Sequence, residues 1–237
     1  MWGKVLDFAR GGGRKGGEGS VLGRQIADTL CDGMQVAEPL ERLFQWIEAN
    51  RFFVDTKDGR RGHLFPPKAM RDGRTDRGRP GGTDVTFGAE PDASRRHWFM
   101  AEDDAEVPRR LCVFAQTGGD GSMAALWLAD DGSQKIVHLG SGSGSVLQCV
   151  LADDPVDFLR LLAIGYDEIC WSEAFSEPPN ASDEFVVEPN RAFVDWVTRE
   201  FGVAIPERAC EIVRHPASMD DESSPDPFWQ WAREHAG

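Results

Sequence analysis

The 237-residue sequence predicts an α+β fold in a single domain, with a mixed, largely antiparallel sheet and flanking helices. Three observations predict it. Short apolar, β-favouring runs stand in a row between residues 110 and 151; turn sequences rather than helices separate them; and helical periods lie outside this block instead of alternating with it.

Taken in chain order, residues 10–20 (RGGGRKGGEGS) are Gly-rich and polar, which suits a flexible segment or an ordered turn cluster. They lack the Walker spacing and follow no strand-like run, so a phosphate loop is disfavoured. The first helix is expected over 39–49: Leu40, Leu43, Phe44 and Ile47 share one stripe, Trp46 lies at its edge, and Pro39 stands where a first-turn proline is tolerated. Residues 57–82 combine Gly, Pro and Arg with little periodicity and read as a long loop or arm. Residues 1–90 are thus expected to supply a helix and a basic loop to the same domain as the core at 91–237.

The core begins with three apolar runs, 110–116 (RLCVFAQ), 122–129 (SMAALWLA) and 134–139 (QKIVHL). GGDG and DDGS separate them, both strong turn sequences, so an antiparallel meander is expected. A fourth strand, SVLQCVL at 145–151, follows the GSGSG run at 140–144. The period then changes. Asp153-Asp154-Pro155 is a helix start with carboxylate capping, Asp157 is favoured in the first turn, Phe158, Leu159, Leu161 and Leu162 make a buried face, and Gly165 is placed to end it. Asn190 precedes a second helix carrying Phe193, Val194, Val197 and Phe201, with Gly202 just beyond, and Asp226-Pro227 opens a third.

The net charge of −14 is uneven: residues 1–56 sum to −1, 57–79 to +5 and 80–237 to −18. A body this acidic repels nucleic acid and anionic lipid and steers a basic protein toward it. The basic segment invites a nucleic-acid reading through Arg60, Arg61, Arg71 and Arg74. Against it, Asp58, Asp72 and Asp76 interrupt the field and only Phe65 offers a stacking ring, so docking on the protein's own acidic surface is preferred. The N-terminus has no apolar run of signal-peptide length, and no stretch approaches about 18 apolar residues. The expectation is a cytoplasmic protein with neither nucleic acid nor membrane as partner.

Catalytic signals are weak. Cys31, Cys112, Cys149, Cys170 and Cys210 are odd in number, widely spaced and contain no CxxC pair, so they read as reduced core thiols rather than a disulfide framework or zinc site. The five histidines are isolated, with no ligand spacing; His138, within a strand, reads as a satisfied core or edge residue. Paired carboxylates such as Asp130-Asp131 and Asp153-Asp154 fall where turns and caps want them. The Gly-Ser run invites comparison with a dinucleotide loop or a nucleophile elbow, but a strand rather than a helix follows it. No catalytic residue, metal or cofactor is expected.

The block LCVFAQTGGDGSMAALWLADDGSQKIVHLGSGSGSVLQCVLADDPVDFLRLLAIG resembles the heart of the SUKH superfamily, which includes bacterial immunity proteins related to fungal cell-wall-assembly regulators. The resemblance rests on Gly119-Asp120-Gly121 after a strand, Leu126-Trp127-Leu128, Leu139-Gly140-Ser141 and Asp157-Phe158-Leu159, and covers about 55 residues, under a quarter of the chain. It implies a SUKH-like α+β domain without catalytic residues that neutralises a polymorphic toxin by binding it. Two departures stand out: the first 90 residues match no part of the pattern, and the Gly-Ser turn is longer than usual. The resemblance supplies no fixed site. On charge and aromatic character, the expected partner-binding residues are Asp103, Asp104, Glu106, Trp171, Glu173, Asp183 and Glu184, facing a basic cognate toxin such as a nuclease. The alternatives are a regulatory protein-binding scaffold of the same fold and a hydrolase or nucleotide-binding enzyme.

Overall fold

The computed structural model describes residues 19–90, 98–99, 106–182 and 184–235. In chain order its elements are α1 (Val21–Ala27), α2 (Glu38–Ala49), β1 (Phe53–Thr56), β2 (Gly59–His63), α3 (Pro67–Gly73), β3 (Gly78–Arg79), β4 (Thr86–Phe87), α4 (Val107–Arg110), β5 (Leu111–Gln116), β6 (Met123–Leu128), β7 (Gln134–Leu139), β8 (Gln148–Ala152), α5 (Pro155–Ile164), β9 (Val186–Val187), α6 (Arg191–Phe201) and α7 (Pro227–His235). Single-turn 3-10 segments occur at Ser172–Ser176 and Ala209–Glu211. The main sheet has the order β1-β2-β4-β5-β6-β7-β8 and is antiparallel throughout, while β3 and β9 form a separate parallel ladder. The fold is therefore α+β, with a wholly antiparallel seven-stranded sheet, a separate two-stranded parallel ladder and flanking helices. No described helix is long and apolar enough to cross a membrane.

The central strands are buried on both faces, which accounts for their near-continuous apolar composition. Alternate side chains point to opposite layers. Phe114, Leu126, Ile136 and Leu151 join Leu43, Phe44, Phe158, Leu162 and Phe193 of α2, α5 and α6 on one side. Val113, Trp127, Val137 and Leu139 join Phe228 and Trp231 of α7 on the other. Fully burying one such aromatic or aliphatic side chain contributes about 1.5–3 kcal/mol, so these two layers supply the main driving force for the fold.

Helix ends follow the expected chemistry. Asp154 caps α5 by accepting from Val156 N at 2.6 Å, and Gly165 ends it in the left-handed region at φ 97°. Asn190 caps α6 by accepting from Phe193 N, while its amide donates to Leu64 O at 2.7 Å and so pins the helix to the N-terminal half. Asp226 caps α7 at Trp229 N and also accepts from Val150 N on β8 at 2.9 Å, which fixes that helix against the edge of the sheet.

The segment 57–82 differs from the expected loop. It carries β2, α3 and β3, and β1-β2-β4 extends the main sheet. The hairpin turn Lys57-Asp58 joins Phe53–Thr56 to an arginine-rich strand whose partial burial depends on arginine stems rather than apolar side chains, so no apolar alternation marks it in the sequence. Arg60 lies 3.8 Å from the Phe53 ring centroid and pairs with Asp55 at 2.8 Å and Glu48 at 3.1 Å. Arg61 pairs with Glu90. Arg74 lies over the Phe185 ring, and Arg79 is buried against Asp167.

Candidate binding surface

At the ends of β5 and β7 the turns and the chain after α5 converge on two carboxylates. Asp120, in the β5–β6 turn, accepts from Ser122 N at 3.0 Å and from Ser122 Oγ at 2.9 Å. It also accepts from Ser141 Oγ and from Ser145 N, both at 2.7 Å, in the β7–β8 loop. Burial by itself would raise this carboxyl, but hydrogen bonds from Ser145, Ser122 and Ser141 outweigh it and hold the group at about 2. Gly144 is required here because a Cβ would stand 2.7 Å from Asp120 Oδ2. Ser145 Oγ in turn donates to Cys170 O at 2.6 Å, tying the loop to the segment after α5.

Glu168 is the second hub. Its Oε1 accepts from Gly119 N at 2.6 Å, and its Oε2 accepts from the Trp171 indole at 3.0 Å. The indole ring is thereby held at one edge while 41% of the residue stays exposed; among described residues the other exposed large apolar side chains are Val54 and Val186. Residues 165–188 contain seven carboxylates and no Lys or Arg. Trp171 lies in this acidic stretch, which Arg74 and Arg79 of the N-terminal half meet at Phe185 and Asp167.

The polar groups of this arrangement are largely committed to one another. The four donors on Asp120 stabilise its ionised form and occupy its lone pairs, which disfavours a role as general base. His138 is fully buried, with Nδ1 on Leu147 O and Nε2 on Thr117 Oγ1, both at 2.9 Å, so neither ring nitrogen faces a substrate. Burial lowers its pKa to about 4 and keeps the ring neutral. Ser141 accepts from Gly144 N while bonding Asp120, and β8 rather than a helix follows. A small cleft of about 80 Å³ beside Glu168 is lined by Asp84, Thr86, Gln116, Gly118 and Gly119, whereas a larger hollow of about 450 Å³, lined by Trp98, Ser141, Gln148, Met219 and Trp229 among others, opens at the Gly-Ser loop and falls in the size range of small-molecule pockets. Asp84 in the smaller cleft is raised by burial and further by Asp167 and Glu168, against Arg79. Among the described residues no cluster of three or more His, Cys, Asp or Glu side chains suits a metal.

The structure brings some of the expected contact residues together and separates others. Trp171 and Glu173 are exposed neighbours on and beside the 3-10 segment, and Glu184 is exposed farther along the same acidic stretch, just before β9. Glu106 is exposed too, but it precedes α4 at the start of β5, near Arg109. Trp171 lies by the turn at the far end of that six-residue strand, roughly 20 Å away at about 3.3 Å per residue. Asp103, Asp104 and Asp183 lie outside the described residues. The sequence marks Asp120 as a turn residue and gives Glu168 no role of its own; Trp171 three positions after Glu168, with no Lys or Arg between residues 165 and 188, was the available signal.

Fold and surface together describe an acidic α+β protein with an exposed, carboxylate-held tryptophan. No family model matches the chain, and neither a curated protein nor a solved structure matches it.

Proposed function

We propose that this chain is a non-catalytic immunity protein that binds and neutralises a cognate toxin protein with a basic surface, such as a nuclease. The observation that supports this most is the acidic stretch around Trp171. An indole held by Glu168 within an acidic stretch suits a partner presenting Arg or Lys, because aromatic anchors supply desolvated contact area and like-signed charges speed encounter with an opposite field. The resemblance of residues 111–165 to the SUKH pattern points the same way. The acidic groups and the indole need only be covered by the partner; no bond is made or broken, so protection is stoichiometric.

The test is co-expression with whatever toxin domain a neighbouring open reading frame encodes, followed by titration of the purified pair. Restored growth and a one-to-one complex are expected. Persistent growth arrest together with no measurable complex would overturn the proposal, and a complex with a housekeeping protein in place of a toxin would favour a regulatory scaffold.

A further inference from the structure

We propose that Cys31 and Cys112 form an oxidative modification site, closing to an intramolecular disulfide that locks the connection between α1 and α2 onto β5. Their Sγ atoms stand 3.0 Å apart although 81 residues separate them in sequence. Each thiol is also held by the other's neighbourhood: Cys31 Sγ donates to Pro108 O at 2.9 Å, and Cys112 Sγ donates to Thr29 O at 3.3 Å. These bonds fix both cysteines within reach of one another. A disulfide has an S–S bond of about 2.05 Å, so closure requires an approach of about 1 Å, within the range of small side-chain rotations.

Exposure assigns the order of events. Cys31 is half-buried and Cys112 is 3% exposed, so a small-molecule disulfide meets Cys31 first. With glutathione disulfide as oxidant, the Cys31 thiolate attacks one sulfur, forms a mixed disulfide and releases one glutathione thiolate. The Cys112 thiolate then attacks Cys31 Sγ and expels the second glutathione. The protein loses two protons and two electrons, and one glutathione disulfide becomes two thiols; excess reduced glutathione reverses both steps. The other cysteines lack this arrangement. Burial pushes the Cys149 and Cys170 thiols up, away from the reactive thiolate, and Cys210 is a free thiol on the exposed surface.

The experiment equilibrates the full chain carrying Cys210→Ser, to remove the exposed thiol, in buffers of graded glutathione redox ratio. Acid quenching, alkylation, intact mass and peptide mapping follow. Under oxidising conditions we expect the loss of two hydrogens, a cross-linked peptide pair containing Cys31 and Cys112, and a Tm higher by about 5 °C or more, since the cross-link closes a long loop. Adding Cys31→Ser, at the more exposed position, abolishes the cross-link and makes Tm independent of the redox buffer. A folded protein that keeps both thiols, or stops at a glutathione adduct on Cys31, overturns the proposal. So does an unchanged Tm response in the Cys31→Ser protein.

Discussion

Arg79 Nε donates to Asp167 Oδ1 at 2.6 Å, and its guanidinium also donates to the Asp167 carbonyl and to Gly82 O, both at 2.7 Å. One buried cation thus stitches β3 to the chain leaving α5, directly upstream of Glu168 and Trp171. Replacing Arg79 with Met leaves two carbonyls without these donors and a carboxylate without its partner. Because the Asp167 side chain is 40% exposed, water compensates in part, and the expected loss is about 2–3 kcal/mol, below the full range for a buried pair. Urea denaturation of the variant checks this. Arg79→Lys is expected to recover little, since an ammonium lacks the fork that reaches three acceptors.

Asp120→Ala should cost about 2–3 kcal/mol, because it strips one acceptor from four donors on Ser122, Ser141 and Ser145, all three buried. The effect carries a pH signature. The folded pKa of about 2 lies below the ordinary 3.8, so this contribution is present above about pH 4 and is lost as pH falls toward 2. Denaturation midpoints for wild type and variant should converge over that window; parallel curves would show that the carboxylate is not the stabilising group.

His138 acts in the neighbouring window. Its folded pKa of about 4 is below the ordinary 6.5, so the unfolded chain takes up a proton between these values and the folded protein does not. Stability is therefore expected to fall as pH drops from 6.5 to 4, by on the order of 1–3 kcal/mol. His63, lowered to about 4 by burial and then by Arg71, adds a slope of the same sign. His138→Asn should flatten the acid limb of a Tm-against-pH curve even if it lowers Tm throughout.

Trp171→Ala separates binding from folding. The residue is 41% exposed and held through its indole N–H, so its loss should cost about 1–2 kcal/mol and leave the domain folded. Binding to the cognate toxin is expected to weaken about 30-fold, the equivalent of a 2 kcal/mol anchor. Glu173→Lys should act mainly on the association rate, with an effect that shrinks as salt rises. Calorimetry and stopped-flow association at two ionic strengths measure both. A Trp171→Ala protein that binds like wild type would move the contact surface elsewhere.

The amino-acid pattern was sufficient wherever one local rule governed the outcome. The runs ending in Gln116, Leu128 and Leu139 are strands separated by Asp-Gly turns, and Asp154, Asn190 and Asp226 cap the helices they precede. Such features depend on neighbours a few residues away, through periodicity, turn chemistry and the orphan N–H groups of a first turn. The N-terminal strands were not legible in this way. β2 reads Gly-Arg-Arg-Gly-His, and it is a strand because Arg60 meets Asp55 and Glu48 while Arg61 meets Glu90.

The candidate surface divides along the same line. Trp171, Glu173 and the acidic run can be picked out by composition, since charge and aromatic character are properties of residues alone. Which of them share a surface, and which are occupied within the protein, depends on long-range contacts. Asp167 and Glu168 are adjacent in sequence, yet one neutralises a buried arginine and the other holds an exposed tryptophan. The sequence by itself determined the meander at 111–152, the caps and the acidic character. Tertiary structure alone decided that Asp120 serves as a bracket between two turns, that Glu106 lies apart from Trp171, and that Cys31 meets Cys112, because each follows from chain reversals that bring distant residues within a few ångströms.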